Sequence, residues 1–360
     1  MNNRIRKVRE KVNANNAEGF VSFKRENIRY LTGFSGSTAS IILTEREAFF
    51  LTDFRYKTQA EEEVNRDFEK RECKNIIESL SELIKSLNLR TIGFESSLPY
   101  STYDELRDKL NSDTSAGRTT CLVSTKNLIE DIRIIKEPSE VEFIRQAIGI
   151  IERAFKKTKK TIKPGLTERE IAIEMEYNLR KEGAEGIPFD IIIASGERGA
   201  LPHGIASEKI IKNGELVIVD FGSQYKGYNS DCTRTLSVGK PDERQKDIYK
   251  IVSMAQREAI NSVKPGLRAS EIDAKARKFI TNAGYEGNFG HSTGHGVGLE
   301  VHENPRIAET ENDIIKEGMV FTIEPGIYIP KWGGIRIEDM VVVTENGCEV
   351  LTSSIEKEFE

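Results

Sequence analysis

All four histidines of the chain, His203, His291, His295 and His302, fall in its C-terminal half, interleaved with carboxylates set in apolar, strand-like sequence. Asp220 lies in Leu216-Val-Ile-Val-Asp-Phe-Gly, Asp231 in Asn229-Ser-Asp-Cys-Thr-Arg-Thr, Glu324 in Phe321-Thr-Ile-Glu-Pro-Gly and Glu338 in Ile335-Arg-Ile-Glu-Asp. Each acid stands where Val or Ile would be expected. A buried carboxylate must be paired or must coordinate a cation, so imidazole and buried acids together point to a metal site. The bland alternative, separate surface or salt-bridged acids, would leave the flanking Val and Ile in water.

The elements that must position these groups are legible as an internal repeat. Lys163-Pro-Gly-Leu, Glu170-Ile and Gly183-x-Glu-Gly recur at a constant offset of 101 residues as Lys264-Pro-Gly-Leu, Glu271-Ile and Gly284-x-Glu-Gly. Each copy reads as a long helix ending at Pro-Gly, a second amphipathic helix stopped by glycine, and then an apolar strand with an acid near its end. Asp220 and Glu324 are thus counterparts, and a second strand supplies Asp231 in one half and Glu338 in the other. A hairpin turning around Tyr225-Lys226-Gly227 would set Asp220 directly opposite Asp231, about 5 Å apart at Cβ. One turning around Pro330-Lys-Trp-Gly would do the same for Glu324 and Glu338. Two related halves would then build one site on their pseudo-twofold axis.

Four converging carboxylates repel one another by about 4 kcal/mol for each close pair at an effective dielectric near 20. Two divalent cations match that charge. Oxygen-rich ligands with one imidazole and no thiolate favour Mn²⁺ or Co²⁺, with Zn²⁺ also compatible. Thr233, two residues past Asp231, shares its strand face and could orient a ligand, although ordinary β-propensity explains it equally well. Cys232 would face the other way. His291-x-x-x-His295 lacks the glutamate of the helical zinc-protease motif, having Ser292 there, and Gly294, Gly296 and Gly298 argue for a glycine-rich loop instead.

Length and composition frame this site. A chain of 360 residues predicts two domains. Residues 1–125 alternate short elements as an α/β unit: helices at Ile5–Asn13, Tyr56–Val64 and Ile76–Leu87, and strands at Gly19–Phe23, Ile28–Thr32, Ser37–Thr44, Ala48–Thr52 and Thr91–Phe94. Residues 126–138 read as a linker, and a long helix over Ser139–Lys160 opens the second domain, 139–360. The net charge of −5, from 58 acidic and 53 basic residues without a basic block, argues against nucleic acid as a partner. No apolar run reaches membrane-spanning length, and the basic N-terminus lacks a secretory apolar stretch. Cys73, Cys121, Cys232 and Cys348 are scattered, with no C-x-x-C pair. A soluble cytoplasmic protein is expected.

In order and spacing, Leu201-Pro-His-Gly, Val219-Asp-Phe-Gly, Ser230-Asp-Cys-Thr-Arg-Thr, His291-Ser-Thr-Gly-His-Gly-Val-Gly-Leu-Glu-Val-His-Glu, Thr322-Ile-Glu-Pro-Gly-Ile-Tyr and Gly334-Ile-Arg-Ile-Glu-Asp resemble the pita-bread metallopeptidases, specifically aminopeptidase P and prolidase. Asn27-Ile-Arg-Tyr-Leu-Thr-Gly-Phe-Ser-Gly-Ser and Leu51-Thr-Asp-Phe-Arg-Tyr resemble the creatinase-type domain that precedes the catalytic domain there. The resemblance implies an α+β pita-bread catalytic domain in which Asp220, Asp231, His295, Glu324 and Glu338 hold two divalent ions. It also places His203, His291, His302, Tyr328 and Arg336 around the substrate, with Arg336 open to a substrate carboxylate. Glu324 would carry a proton to the leaving nitrogen, and His302 or His291 would donate to the oxyanion.

The implied activity is release of the N-terminal residue from peptides with proline second. The alternative is a prolidase confined to Xaa-Pro dipeptides. A homodimer is implied as well. Methionine aminopeptidase would not account for the first 125 residues, and creatinase lacks this metal set. Metal-free relatives that bind peptides would have lost ligands, and all five are present. The one departure noticed is Cys232, where many relatives carry an aliphatic residue.

Overall fold

The structure, a computed structural model, describes residues 3–112, 119–357 and 359. The outer bounds of the two expected domains, residues 1 and 360, lie outside the described residues. The chain divides into two compact units, Met1–Arg133 and Ile134–Glu360.

The N-terminal unit is built from α1 (Asn3–Ala14), β1 (Gly19–Ser22), α2 (Arg25–Thr32), β2 (Ala39–Thr44), β3 (Ala48–Thr52), α3 (Lys57–Glu63), β4 (Glu69–Glu72), α4 (Ile76–Ser86), β5 (Thr91–Glu95), α5 (Tyr100–Asn111), β6 (Cys121–Thr125) and α6 (Glu130–Arg133). Its six strands form one mixed sheet in the order β4-β3-β2-β1-β5-β6. Helix α4 shows why the local sequence folds as it does: Asn75 caps it by accepting from the Glu78 amide, and Leu80, Leu83 and Ile84 repeat at helical spacing into the core. Residues Ile28–Thr32, expected as a strand, are helical. The run is too short for periodicity to decide, and the stop signal is Gly33, which ends α2 at φ 89°. The segment read as a linker carries α6, whose Ile132 and Arg133 are buried.

In the C-terminal unit the first half comprises α7 (Pro138–Thr158), α8 (Glu168–Lys181), β7 (Ile192–Ser195), β8 (Leu216–Phe221), β9 (Gln224–Tyr225), β10 (Tyr228–Asn229) and β11 (Cys232–Ser237). The second half comprises α9 (Glu243–Ser262), α10 (Ala269–Ile280), β12 (Gly294–Gly296), β13 (Glu303–Ile307), β14 (Val320–Ile323), β15 (Gly326–Ile329), β16 (Gly333–Arg336), β17 (Asp339–Thr344) and β18 (Gly347–Val350). One sheet runs β11-β8-β7 and the other β13-β12-β14-β17-β18. Each half packs its own helix pair on its own sheet, with Ile151, Phe155, Met175 and Val219 in one core and Val252, Ile272, Phe321 and Val341 in the other.

The repeat is structural in detail. Gly165 and Gly266 take φ of 96° and 91°, Gly183 and Gly284 take 105° and 88°, and these left-handed conformations favour glycine. The Gly165 amide donates to Ile211 and the Gly266 amide to Ile315. The carboxylate of Glu170 accepts from the Thr167 amide, as that of Glu271 does from the Arg268 amide.

Candidate metal centre

Strand pairing brings the acids together, in one half as expected and in the other with a shift. Ile323 pairs with Asp339 on one side and Gly326 with Arg336 on the other, so Glu324 and Glu338 face each other as the hairpin geometry predicts. In the first half the partner of Asp220 is Thr233, not Asp231. The turn is a two-residue one, Lys226 and Gly227 both at positive φ (46° and 77°), and it pairs Tyr225 with Tyr228. Pairing Asp220 with Asp231 would need the turn centred one residue earlier, between Tyr225 and Lys226. Asp231 therefore lies diagonal to Asp220, still on the same sheet face because it is two residues from Thr233.

Ligand-type atoms of Asp231, His295 and Glu338 all lie within 4.8 Å of one another. His295 Nε2 is 3.6 Å from Asp231 Oδ2 and 3.4 Å from Glu324 Oε1. Arg336 Nη2 donates to Asp220 Oδ2 at 2.7 Å. Burial, and then the neighbouring carboxylates, push Asp231 and Glu338 well above the usual carboxylate range, and burial also raises Glu324. One guanidinium is bonded to one of four acids, so the cluster is short of positive charge.

Two orphaned lone pairs show what would correct that shortage. Asp220 Oδ1 is buried with no hydrogen-bond donor among the described residues. His295 Nδ1 sits 3.1 Å from the Gly296 carbonyl, which assigns the proton to Nδ1 and leaves the Nε2 lone pair facing Asp231 and Glu324. Burial also holds this imidazole below its ordinary pKa. A bare imidazole lone pair beside carboxylate oxygens is repulsive, and a divalent cation between them makes each a ligand. The residues therefore fit a metal.

The strand carrying His295 corrects the loop expectation for the glycine-rich segment. Gly294–Gly296 is β12, between β13 and β14. Its glycines permit close packing, since a Cβ on Gly294 would collide with the Thr322 carbonyl and one on Gly296 with that of Asn304.

The groups around the acids form a connected set. Thr233 donates its hydroxyl to Glu338 Oε2 at 2.8 Å and accepts from Arg336 Nε at 3.0 Å. Arg336 Nη1 donates to Tyr328 Oη and to the Pro202 carbonyl, both at 3.0 Å. Four of its five N–H groups are thus engaged within the protein, which leaves one Nη2 proton without a partner among the described residues. His291 Nε2 lies 2.9 Å from Tyr328 Oη, with Nδ1 2.8 Å from the Ser292 carbonyl, so the tyrosine donates to the ring. His302 is exposed, with its ring centroid 4.2 Å from that of His295. His203 is exposed next to Pro202. Cys232 faces the apolar core with Val217, Val219 and Phe221, as alternation requires. Sequence reading missed the carbonyl of Pro202 and the side chain of Thr235, whose hydroxyl accepts from the Arg336 amide at 3.1 Å.

Comparison with known proteins agrees with this geometry. Residues 142–345 match Metallopeptidase family M24, and residues 4–135 match the Creatinase/Prolidase N-terminal domain. The chain is 42% identical over 357 residues to an Xaa-Pro dipeptidase of Pyrococcus horikoshii, covering 98% of each. It superposes on an Xaa-Pro dipeptidase from Bacillus anthracis with a TM-score of 0.94, at 40% identity over 99% of this chain and 98% of that one. An X-Pro aminopeptidase from Thermotoga maritima gives 0.89 at 39% identity, over 97% and 99%. Carboxylates from both duplicated halves facing one imidazole, on a pita-bread catalytic unit preceded by a creatinase-type one, place the chain in the metallopeptidase family M24, a family of divalent-metal enzymes.

Proposed function

We propose that the protein is a dinuclear metallopeptidase that hydrolyses the bond between an N-terminal residue and proline. The observation that carries this reading is the convergence of Asp231, His295 and Glu338 on one point, with Glu324 and Asp220 on the same faces. Asp220, Asp231, His295, Glu324 and Glu338 would hold two ions, with Mn²⁺ or Co²⁺ favoured by the oxygen-rich donors. Bound, the ions supply Lewis acidity that makes water nucleophilic near neutral pH and polarises the scissile carbonyl.

The chain's own residues supply the rest. Glu324 Oε1 lies 3.4 Å from His295 Nε2, so this carboxylate suits the proton passing from the attacking water to the leaving nitrogen. Of the two histidines His302 suits donation to the oxyanion, since His291 accepts from Tyr328 at Nε2 and turns its Nδ1 proton to the Ser292 carbonyl. In a bond to proline the leaving nitrogen carries no hydrogen and the ring fixes φ. A site shaped for that ring gains where a general peptidase loses.

The names of the Pyrococcus and Bacillus relatives favour Xaa-Pro dipeptides as substrates. That of the Thermotoga relative favours longer peptides with proline second. Action as a homodimer in the cytoplasm is part of the proposal, and among the described residues no helix is long and apolar enough to cross a membrane. The deciding assay compares Xaa-Pro with Xaa-Pro-Xaa hydrolysis by Mn²⁺- and Co²⁺-loaded enzyme, before and after chelation. Cleavage of dipeptides alone identifies a dipeptidase, and tripeptide cleavage an aminopeptidase. Hydrolysis that survives complete chelation would end the proposal.

A further inference from the structure

We infer that Glu168, on the first turn of α8, is a positioning residue that clasps both ends of the segment carrying His203 and so sets that histidine at the substrate side of the site. This deepens the function proposed above and rests on the place around the substrate that the family resemblance implies for His203. The segment leaves β7 at Ser195, makes a 3-10 turn over Gly196–Ala200, and passes through Leu201, Pro202 and His203 to Ser207 without regular structure. Its internal backbone bonds are short-range: Leu201 to Arg198, Gly204 to Leu201 and Ile205 to His203. Such a stretch would sample many conformations unless it were held from outside.

Sheet pairing of Ser195 with Val217 and the Arg169 amide on the Ser207 carbonyl fix the two ends separately, and one fully buried carboxylate joins them. Glu168 Oε1 accepts from the Ser195 amide (2.8 Å) and hydroxyl (2.9 Å) at the start of the segment. Oε2 accepts from the Ser207 amide (3.1 Å) and hydroxyl (2.7 Å) at its end, and from Arg198 Nε (2.9 Å) within it. The Arg198 guanidinium passes the constraint on, since its Nη2 donates to the Ile205 carbonyl at 2.6 Å, two residues from His203. Five donors saturate an ionised acid and would leave a neutral amide with mismatched donors. On its far side the segment lies on β16, where Gly199 and Gly334 approach too closely for a Cβ on Gly334, and Arg336 donates to the Pro202 carbonyl.

The second half of the duplication uses the same device. Asp273 of α10, also fully buried, accepts from the Thr293 amide (3.2 Å) and hydroxyl (2.7 Å) and binds Arg277, which donates onward to the carbonyls of Phe289 and His291. In both halves, then, a helix-borne acid and an arginine tether a histidine-bearing segment.

The test uses metal-loaded full-length enzyme and two readouts. In Glu168→Gln, hydrogen exchange of the amides between Gly196 and Ser207 should accelerate about tenfold or more, the worth of one lost charge-assisted bond, with metal content unchanged. The loss in kcat/KM on an Xaa-Pro dipeptide should be non-additive with that of His203→Ala, the double variant falling little below the worse single one. Unchanged exchange, or losses that simply multiply, would overturn the clasp. If His203→Ala alone has no effect, the role of His203 falls and the exchange readout still decides whether Glu168 holds the segment. Should Glu168→Gln fail to fold, Ser207→Ala removes a single donor, and the same local exchange must rise for the inference to stand.

Discussion

Replacing Thr233 with valine keeps the shape of a fully buried side chain and deletes one hydroxyl that serves two charged groups. That hydroxyl donates to Glu338 and accepts from Arg336 Nε. Hydrogen bonds to charged groups contribute about 1.5–3 kcal/mol each, so losing both costs roughly 3–6 kcal/mol if neither group finds another partner. For a unit the size of Ile134–Glu360, where 1 kcal/mol moves Tm by about 2–4 °C, a drop of about 6 °C or more is expected. Freed to rotate, Glu338 should also bind metal about 10–100-fold more weakly, the usual effect of removing a group that orients a ligand. Calorimetric metal titration and thermal melts of Thr233→Val measure both quantities, and Thr233→Ser, which keeps the hydroxyl, should recover most of each. Native metal affinity in the valine variant would refute the claim that Thr233 orients Glu338. A fall in Tm without loss of affinity would reduce its role to stability.

Asp231→Asn should lower metal content and abolish hydrolysis, as read by metal analysis and a dipeptide assay; full activity would remove Asp231 from the ligand set. His302→Ala should retain the metals yet slow turnover roughly 10²-fold if the ring donates to the oxyanion, measured as kcat at saturating substrate. Cys232→Ala should cost about 1–2 kcal/mol of stability for the small core cavity and leave activity nearly intact, and metal loss would contradict its placement on the core face. In chelated enzyme Asp231 and Glu338 have raised pKa values, so the folded protein binds more protons than the unfolded chain above pH about 4. Stability should then fall as pH rises from that value through the folded pKa, seen as a Tm higher at pH 5 than at pH 8. Metal loading should abolish that slope.

Much of the site is legible in the sequence because its signals are local. An acid in a Val/Ile strand is anomalous on its own, alternation turns Cys232 away from the acids, and a constant offset exposes the duplication before any contact is known. The register of Glu324 against Glu338 also follows from the position of a single turn. The weaker readings were those with little or ambiguous local signature. The charged edge strand β4 has no apolar alternation, the run at Ile28–Thr32 is too short to show a period, and the shift that moves Asp231 diagonal to Asp220 comes from a turn centred between Lys226 and Gly227 rather than one residue earlier.

By itself, then, the sequence determined the family to which the chain belongs and singled out acids and an imidazole, from two related halves, that the fold brings together. Tertiary structure decided how those residues are held. Arg336 is bonded to Asp220, 116 residues away in the chain, and to Pro202, 134 residues away. Glu168 reaches Ser207 across 39 residues. Such partnerships are created when buried charges must find donors in a dry interior, and that demand arises only after the elements have packed, so no residue's neighbours in sequence record it.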